Sequence, residues 1–370
     1  MFQRVKNLFH RGQVLNWYEK YEHGISYLAL VLGFILDNLF LVQIDALADK
    51  LVLTMYIALA GLCIILLAVN ESKNQNLLKN NRTHFWLSLF LQFCLGGLFS
   101  AYVIFYVRGA TLESSWPFLA LLAAYFLGNE IFKKYYLRLS FSLGVYFFAL
   151  LFYFIILVPT VVKSVDWWVF VLSTVITVLT FGILIWVISL YKKEHIKINR
   201  KARIAYYTSM LLLVNLFYFL NVIPPLPLLL KDSGVYHNLV SIGNGGYTVE
   251  TESSNGWFGF FDITPTVHRY ALEPIYVFTA VYSPIDLNLS VTHNWQKFNL
   301  TTNRWVTVSD VKVPIKGGRS DGYRLYSFKR NLTPGLWRVN VVTDNNRLIG
   351  RVKFNLVDAD FIPETTQLIK

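Results

Sequence analysis

An aspartate lies within a long apolar stretch near the start of the chain. Asp37 is about 12 residues into the apolar run 25–44, or roughly 18 Å along a helix that rises 1.5 Å per residue. A carboxylate at that depth in a bilayer costs at least ~2.5–3.5 kcal/mol, so we expect Asp37 to face other helices, beside Asn38. It could relay protons or bind a substrate, or it could be a protonated or hydrogen-bonded packing residue. The remaining alternative is that this span is misplaced.

A second acidic residue, Glu130, follows Asn129 at the end of another apolar run. Lys133 and Lys134 come three and four residues later, on the same helix face. An ion pair near the inner membrane interface therefore explains Glu130, which we also keep as a candidate binding residue. Two apolar runs contain stripes of small or polar residues at helical spacing, which favours close helix packing over a polar channel. The stripes are Ser88, Gln92, Gly96 and Ser100, then Ala120, Ala124 and Gly128.

In the last third of the chain, His293 and Trp295 share one face of a predicted strand, and Arg338 is adjacent to Trp337. This pattern is typical of strand packing with an exposed partner, but it could also form a binding patch or a catalytic site. The histidines lack the spacing of zinc ligands, and no phosphate-binding loop or nucleophile elbow occurs in a suitable context. We therefore predict no metal, no cofactor and no catalytic residue.

The composition indicates an integral membrane protein. Of 370 residues, 55% are hydrophobic and only 15% are charged, and the apolar residues are concentrated in seven runs. Each run approaches the ~20 residues that cross a bilayer as a helix. We place the spans at 25–44, 51–69, 84–107, 116–132, 139–161, 167–190 and 204–223. Residues 1–24 lack the apolar core of a signal peptide and are expected to be a cytoplasmic tail or an interfacial helix.

Positive charge alternates between rich and poor in the segments that flank these runs. The N-terminal segment and every second connection contain 16 Lys and Arg residues, whereas the opposite connections contain only Lys50, Arg108 and Lys163. Short cytoplasmic loops retain Lys and Arg, so this split predicts a cytoplasmic N-terminus and an exterior C-terminal region. The basic loops, which contribute to the net charge of +12, are expected to contact anionic headgroups of the lipid bilayer rather than nucleic acid.

The character of the sequence changes after the prolines at 224, 225 and 227, which must end the seventh span. We interpret residues 25–230 as the bundle and 231–263 as a juxtamembrane connection. From Thr264 onward apolar and polar residues alternate, as expected for half-buried strands. Predicted strands include 275–282, 287–295, 304–313 and 323–328, with a hairpin turn at Thr343–Asn346. An exterior, antiparallel all-β sandwich over 264–370 is the expected fold. Both cysteines fall in apolar runs, so no disulfide is expected there.

Several stretches resemble a bacterial family of uncharacterised membrane proteins. They are Ile223–His237, Tyr276–Pro284, His293–Trp295, Gly322–Ser327, Pro334–Val341, Ile349–Gly350 and Phe354. The resemblance covers residues 223–357 well and the Gly33–Asp37 stretch more loosely. The C-terminal module of that family is known only as a domain of unknown function. The resemblance thus implies a bacterial cell envelope and no particular catalytic residue.

Three functions fit these observations. The first is a non-enzymatic protein of the bacterial inner membrane, whose helices anchor an exterior β-sandwich that binds another envelope protein or a glycan. The alternative is a transporter or membrane-embedded enzyme that works through Asp37, because seven spans exceed what anchoring requires. A sensor is the third, and it would need a cytoplasmic partner, since the longest inner segment is 1–24. The binding or scaffolding protein is our working hypothesis.

Overall fold

The computed structural model contains a helical N-terminal part and a β-rich C-terminal part. It describes residues 31–35, 37–39, 47–73, 81–109, 112–132, 135–136, 138–191, 200–225, 228–243, 246–252, 264–283, 289–315 and 319–370. The chain forms two compact units. The first unit comprises residues 1–104, 120–153 and 176–208, and the second comprises residues 105–119, 154–175 and 209–370. The predicted segment 1–24 lies outside the described residues.

The helices follow the predicted spans closely. Described helical residues at 31–35 and 37–39 form α1. The others are α2 (Leu47–Lys73), α3 (Asn81–Gly109), α4 (Leu112–Ile131), α5 (Leu139–Val162), α6 (Trp167–Tyr191) and α7 (Arg200–Phe219). Within the described part of the chain, five helices are long and apolar enough to cross a membrane, namely α2, α3, α5, α6 and α7. This is consistent with a membrane protein.

Side chains of tyrosine and threonine connect the helices of the first unit. The Tyr102 hydroxyl of α3 donates to the Ala149 carbonyl of α5 at 2.8 Å. Thr54 of α2 and Tyr153 of α5 share a hydrogen bond of 2.8 Å between their hydroxyls. Apolar surface alone gives helices in a bilayer little reason to associate, so such polar contacts and close packing are expected to hold the bundle together.

The last helix ends earlier than the prolines require. α7 stops at Phe219, whereas the predicted span runs to residue 223. Asn221 has a φ of 58°, its N–H donates to the Tyr218 carbonyl, and the Val222 N–H donates to the Phe217 carbonyl at 2.9 Å. These two bonds form a Schellman cap, in which asparagine adopts the left-handed conformation and ends the helix before Pro224 is reached.

Eleven strands form three sheets in the described part of the second unit. They are β1 (Leu229–Tyr236), β2 (Asn238–Gly243), β3 (Gly246–Glu252), β4 (Thr266–Tyr270), β5 (Ile275–Ser283), β6 (Leu289–Asn299), β7 (Arg304–Ile315), β8 (Arg319–Lys329), β9 (Gly335–Thr343), β10 (Leu348–Ala359) and β11 (Thr365–Ile369). The sheet orders are β1-β5-β8, β4-β10-β9-β6-β7 and β11-β3-β2. The pair β4–β10 is parallel and the other pairs are antiparallel.

The predicted strands after Thr264 are confirmed as β5 to β10, including the hairpin between β9 and β10, where Asn346 has a φ of 55°. The structure differs from the sequence-based interpretation between residues 229 and 252. Three strands lie there, where we expected mostly a connection. Their polar residues interrupt the alternation, as in Lys231–Gly234, and only a few apolar positions such as Leu239 and Val249 are buried.

The central strand β5 is buried on both faces. Ile275 and Val277 share a core cluster with Trp295 of the five-stranded sheet. Phe278 and Ala280 pack instead with Val249 of the β11-β3-β2 sheet and its neighbours. The sheet β1-β5-β8 therefore has a core on each side. Residues 275–282 are apolar at nearly every position, which is the pattern of a strand covered on both faces.

Candidate binding surface

The outer face of the five-stranded sheet presents two rows of polar side chains. Strand register places Lys353 of β10 opposite Arg338 of β9, Arg338 opposite Gln296 of β6, and Gln296 opposite Thr307 of β7. We call this row the first rung. A second rung lies two residues away on β10, β9 and β6, and it consists of Arg351, Asn340, Asn294 and Asp310. Side chains two residues apart on a strand share a face, so both rungs lie on one surface.

An aromatic side chain adjoins the first rung. Trp305 of β7 is paired with Phe298 of β6, and their ring centroids are 5.2 Å apart at 62°. The guanidinium carbon of Arg338 lies 4.2 Å from the Trp305 ring centroid, and Lys353 Nζ lies 5.8 Å from it. Both positive groups are within the range of a cation–π interaction. We call Gln296, Phe298, Trp305, Arg338 and Lys353 the Trp305 patch.

Hydrogen bonds along the rungs hold the polar groups in place. Arg338 Nε donates to Gln296 Oε1 at 2.7 Å, and Gln296 Nε2 donates to Thr307 Oγ1 at 3.2 Å. In the second rung, Arg351 Nε donates to Asn340 Oδ1 at 2.6 Å, and Asn294 Nδ2 donates to Asp310 Oδ1 at 2.5 Å. These side chains are therefore pre-oriented on rigid strands. A surface of this kind loses little conformational entropy when it binds a ligand.

The surface formed by the two rungs and Trp305 carries a net positive charge. Arg338, Arg351 and Lys353 contribute three positive charges, whereas Asp310 is the only acidic residue in either rung. The three basic residues and Trp305 are partly exposed. The surface can thus stack on an apolar ligand face, donate hydrogen bonds and attract negative charge.

Two of the residues singled out from the sequence lie on the opposite face of this sheet. His293 and Trp295 are fully buried between the five-stranded sheet and the sheet β1-β5-β8. The two ring nitrogens of His293 lie 2.9 Å from Thr279 Oγ1 and 2.8 Å from Ser327 Oγ, and Trp295 Nε1 donates to Ser327 Oγ at 3.0 Å. Burial lowers the pKa of His293 to about 4. Arg338 is thus separated from His293 and Trp295, and the three form no common patch.

The predicted site residues of the helical part lie in two separate places. Asp37 is partly buried in α1, and its carboxyl group is close to Tyr56 of α2 and Ser100 of α3. Among the described residues, the buried Ser100 hydroxyl has no partner at normal hydrogen-bond geometry. Asn38, next in sequence, is exposed.

Glu130 is held by a neighbouring helix, because Gln92 Nε2 of α3 donates to Glu130 Oε2 at 3.1 Å. Its expected partners Lys133 and Lys134 lie outside the described residues. Gln92 and Asn129 also exchange side-chain to backbone hydrogen bonds of 3.1 Å, and a Cβ atom on Gly96 would be 2.8 Å from Asn129 Nδ2. The small and polar stripe on α3 therefore packs closely against α4, as predicted.

The fold brings together two histidines that are far apart in sequence. His237 Nε2 lies 2.9 Å from Glu252 Oε1, and His268 Nδ1 lies 2.8 Å from Glu252 Oε2. Burial opposes ionisation of Glu252, but the hydrogen bonds from His268 and His237 outweigh it and lower the pKa of this carboxyl. Within the described ranges, no group of three or more His, Cys, Asp and Glu residues is arranged to hold a metal ion.

The comparison with protein families locates a domain around the candidate surface. Residues 288–356 match the family described as "Protein of unknown function (DUF2914)". The C-terminal region thus contains a domain of unknown function, in agreement with the resemblance seen in the sequence. The matched segment includes both rungs and the whole Trp305 patch. The search of curated proteins found no match.

Similarity to solved structures is weak. A beta-glucosidase from Listeria innocua in complex with isofagomine is 14% identical, with a TM-score of 0.20 over 31% of this chain and 16% of that chain. The Pseudomonas fluorescens alkylpurine DNA glycosylase AlkC, bound to DNA containing an abasic site analog, is 11% identical, with a TM-score of 0.18 over 85% of this chain and 99% of that chain. The chain spans only a small part of the glucosidase. At these TM-scores neither similarity supports a shared fold or function.

Proposed function

We propose that this chain is a non-enzymatic protein of the bacterial inner membrane that binds an acidic glycan of the cell envelope. Seven helices, α1 to α7, cross the membrane with the N-terminus in the cytoplasm, and the strands form an exterior β-sandwich-like domain. The Trp305 patch is the binding surface. The alternation of basic residues between the connections supports this topology.

The observation that carries the proposal is the stacking of Arg338 on Trp305 within a row of hydrogen-bonded polar side chains. Sugar rings present apolar C–H faces that pack on an indole, and hydroxyl groups that pair with amides and guanidinium groups. Acidic groups on the sugar match Arg338, Arg351 and Lys353. A protein partner is less well matched, because the aromatic residues Trp305 and Phe298 are surrounded by polar side chains rather than by an apolar centre.

A binding measurement on the full chain in detergent or nanodiscs tests this function. Polygalacturonate is the acidic probe, dextran is the neutral control, and poly-glutamate represents an acidic protein segment. We expect polygalacturonate to bind, with an affinity that falls as salt is raised, and dextran to bind much more weakly. Trp305→Ala should weaken binding about tenfold or more, as expected for a central tryptophan, and Arg338→Gln should also weaken it.

Arg330→Gln is the matched control, because Arg330 is exposed and belongs to neither rung. It should leave binding unchanged. Equal effects of Arg330→Gln and Arg338→Gln would indicate unspecific charge attraction and overturn the assigned surface. Poly-glutamate that binds as tightly as polygalacturonate, with the same dependence on Trp305, would reject the glycan and assign an acidic protein partner.

A transporter or membrane-embedded enzyme that uses Asp37 is the second candidate. It is favoured by one observation, which is that the Asp37 carboxyl lies next to a buried Ser100 hydroxyl that lacks a normal hydrogen bond. Buried polar groups without partners are rare, and a catalytic role is one of the explanations for them. Asp37→Asn separates this candidate from the first, because Asn cannot titrate.

A further inference from the structure

A large cavity opens within the first unit between α4, α5 and α7. Its volume is about 800 Å³, which is within the range of small-molecule binding sites. We call it the α4–α7 groove. Its lining residues are Ala124, Tyr125, Gly128, Asn129, Phe132, Tyr136, Ser140, Phe141, Gly144, Val145, Ala202, Arg203, Tyr206 and Tyr207.

Small residues create this space. Ala124 and Gly128 of α4 line the groove, although their helical spacing favours close helix packing. Among the described residues, a Cβ atom on Gly128 would meet only the ring of Phe132, the residue that follows the end of α4. On the α5 side, the missing side chain of Gly144 admits the Tyr206 ring, which is 3.2 Å from the place of a Cβ atom. Small residues here thus make a cavity with aromatic walls rather than a helix contact.

Most polar groups at one end of the groove make hydrogen bonds to other groups of the protein. The Tyr136 hydroxyl donates to Asn129 Oδ1 at 2.5 Å, and Asn129 Nδ2 donates to the Gln92 carbonyl at 3.1 Å. The hydroxyl groups of Tyr125 and Tyr206 lie close to each other. Among the described residues that line the groove, Arg203 alone is charged, and it is partly exposed.

We propose that the α4–α7 groove binds one anionic phospholipid of the surrounding bilayer. An acyl chain would occupy the apolar part beside Ala124, Gly128 and Phe141, and the phosphate would pair with Arg203. This inference rests on the membrane location in the proposed function. Arg203 is in the first turn of α7, where the helix dipole also favours an anion.

Charge and position together favour an anionic lipid over other occupants. Arg200, Lys201 and Arg203 all lie in the first turn of α7, so this end of the helix carries three basic residues. Basic pockets between membrane helices on the cytoplasmic side bind anionic lipid headgroups.

The test measures lipids bound to the purified full chain by native mass spectrometry, with phosphatidylglycerol and phosphatidylcholine added separately. We expect one phosphatidylglycerol to be retained at concentrations at which phosphatidylcholine is not. Arg203→Gln should lower the affinity for phosphatidylglycerol about tenfold or more, as loss of a charged hydrogen bond does. Ala124→Leu should prevent retention by filling the apolar part.

Two variants serve as matched controls. Lys201→Gln removes a charge from an exposed residue in the same helical turn, and Ala205→Leu adds the same volume at an exposed position outside the groove. Both should retain phosphatidylglycerol like the unmodified chain. Equal losses in Arg203→Gln and Lys201→Gln, or full retention in Ala124→Leu, would overturn the proposed lipid site. Membrane location is tested separately by fractionation of cells, so its failure can be told apart from failure of the lipid site.

Discussion

The guanidinium carbon of Arg347 lies 3.6 Å from the centre of the Tyr218 ring. Arg347 follows the turn between β9 and β10, and Tyr218 is in the last turn of α7, so the pair joins the sheet to a helix end within the second unit. Arg347 Nη1 donates to the Tyr218 carbonyl, and Nη2 donates to the Ile223 carbonyl at 3.2 Å. Phe170 of α6 also stacks on Tyr218, with centroids 3.6 Å apart.

Arg347 therefore serves as a cap for α7. A positive charge at the C-terminal end of a helix is favourable, because the last carbonyl groups lack intrahelical partners. The Asn345 amide in the same turn adds a hydrogen bond to the carboxylate of Asp166, which precedes α6. The β9–β10 hairpin is thus fixed to two helix ends, by contacts that join residues far apart in sequence.

Replacement of Arg347 should loosen this junction. Arg347→Ala leaves two carbonyl groups without their donor and removes the stacked guanidinium, so we expect a local loss of about 2–4 kcal/mol. Hydrogen exchange of the amides in β9 and β10 and at the end of α7 measures it. Arg347→Lys should restore only part of the protection of these amides from exchange, because the Lys ammonium group lacks the planar guanidinium that donates to two carbonyl groups. Arg330→Ala is the exposed control, and equal exchange in Arg330→Ala and Arg347→Ala would argue against this role.

Two tryptophans on opposite faces of the sheet should respond differently. Trp337 is only 2% exposed, belongs to the core cluster, and donates its indole N–H to the Thr333 carbonyl at 2.8 Å. Trp337→Ala should destabilise the β domain by ~3–5 kcal/mol, as large aromatic truncations do. Trp305→Ala should change stability far less, because Trp305 is on the outer face. Denaturant unfolding followed by circular dichroism compares the variants, and comparable losses in both would contradict the assigned faces.

The stability of the β domain should fall on mild acidification because of His293. Burial lowers the pKa of His293 to about 4, below the usual value of 6.5. As pH falls, His293 is protonated in the unfolded chain before it is protonated in the folded protein. The folded protein therefore has its full stability above pH 6.5 and loses stability as pH falls from 6.5 to about 4. The loss should be on the order of 3 kcal/mol. Unfolding free energies measured at several pH values, for the unmodified chain and for His293→Gln, test this.

The slope of the unfolding free energy against pH, compared between the unmodified chain and His293→Gln, identifies His293 as the source of the pH dependence. Gln can hydrogen-bond to Thr279 and Ser327 but cannot titrate, so His293→Gln should reduce the pH dependence between pH 6.5 and 5. Carboxylates with lowered pKa values, such as Glu252, lose their contribution mainly at lower pH. An unchanged slope in a folded His293→Gln variant would contradict the prediction.

Local patterns predicted much of the fold. α5, α6, β5 and β7 lie close to the expected bounds, and β6 and β8 overlap their predicted segments, because a long apolar run and a period of two are properties of the segment itself. β1 to β3 were missed, because their few buried residues are defined by contacts with β5 rather than by alternation. The all-apolar sequence of β5 was the available signal for a sheet on each side.

The candidate surface was only partly visible in the sequence. The hairpin turn at residues 343–346 indicates that β9 pairs with β10, but the register shifts between Leu348 and Gly350, so the turn alone does not place Arg338 opposite Lys353. The positions of Gln296 and Trp305 were hidden for the same reason, because the register of β6 against β7 shifts at a bulge after Trp295. The α4–α7 groove was missed for a related reason. Small residues at helical spacing can admit a neighbouring helix or leave a cavity, and only the packing decides between them.

Reporter fusions test the orientation of the chain. Fusions after Asn70, Arg138 and Arg203 should behave as cytoplasmic, and fusions after Lys50, Lys163 and Lys370 should behave as exported. The five internal fusion points lie in connections next to predicted spans, and Lys370 is in the C-terminal region after the seventh span. A cytoplasmic signal at Lys370 would place the Trp305 patch on the wrong side of the membrane for an envelope glycan.

Substitution of Asp37 separates the binding protein from the transporter or enzyme. If Asp37 serves packing alone, Asp37→Asn should fold normally and preserve glycan binding and any phenotype of the gene, because Asn keeps a similar hydrogen-bonding shape near Ser100 and Tyr56. If Asp37 relays protons, the same variant should assemble normally and lose function, since Asn cannot titrate. Asp37→Leu is the control, because it removes hydrogen bonding and should disturb packing in either case. Growth of a complemented deletion strain and the amount of assembled protein are the measurements. A normal phenotype in Asp37→Asn would eliminate the proton relay.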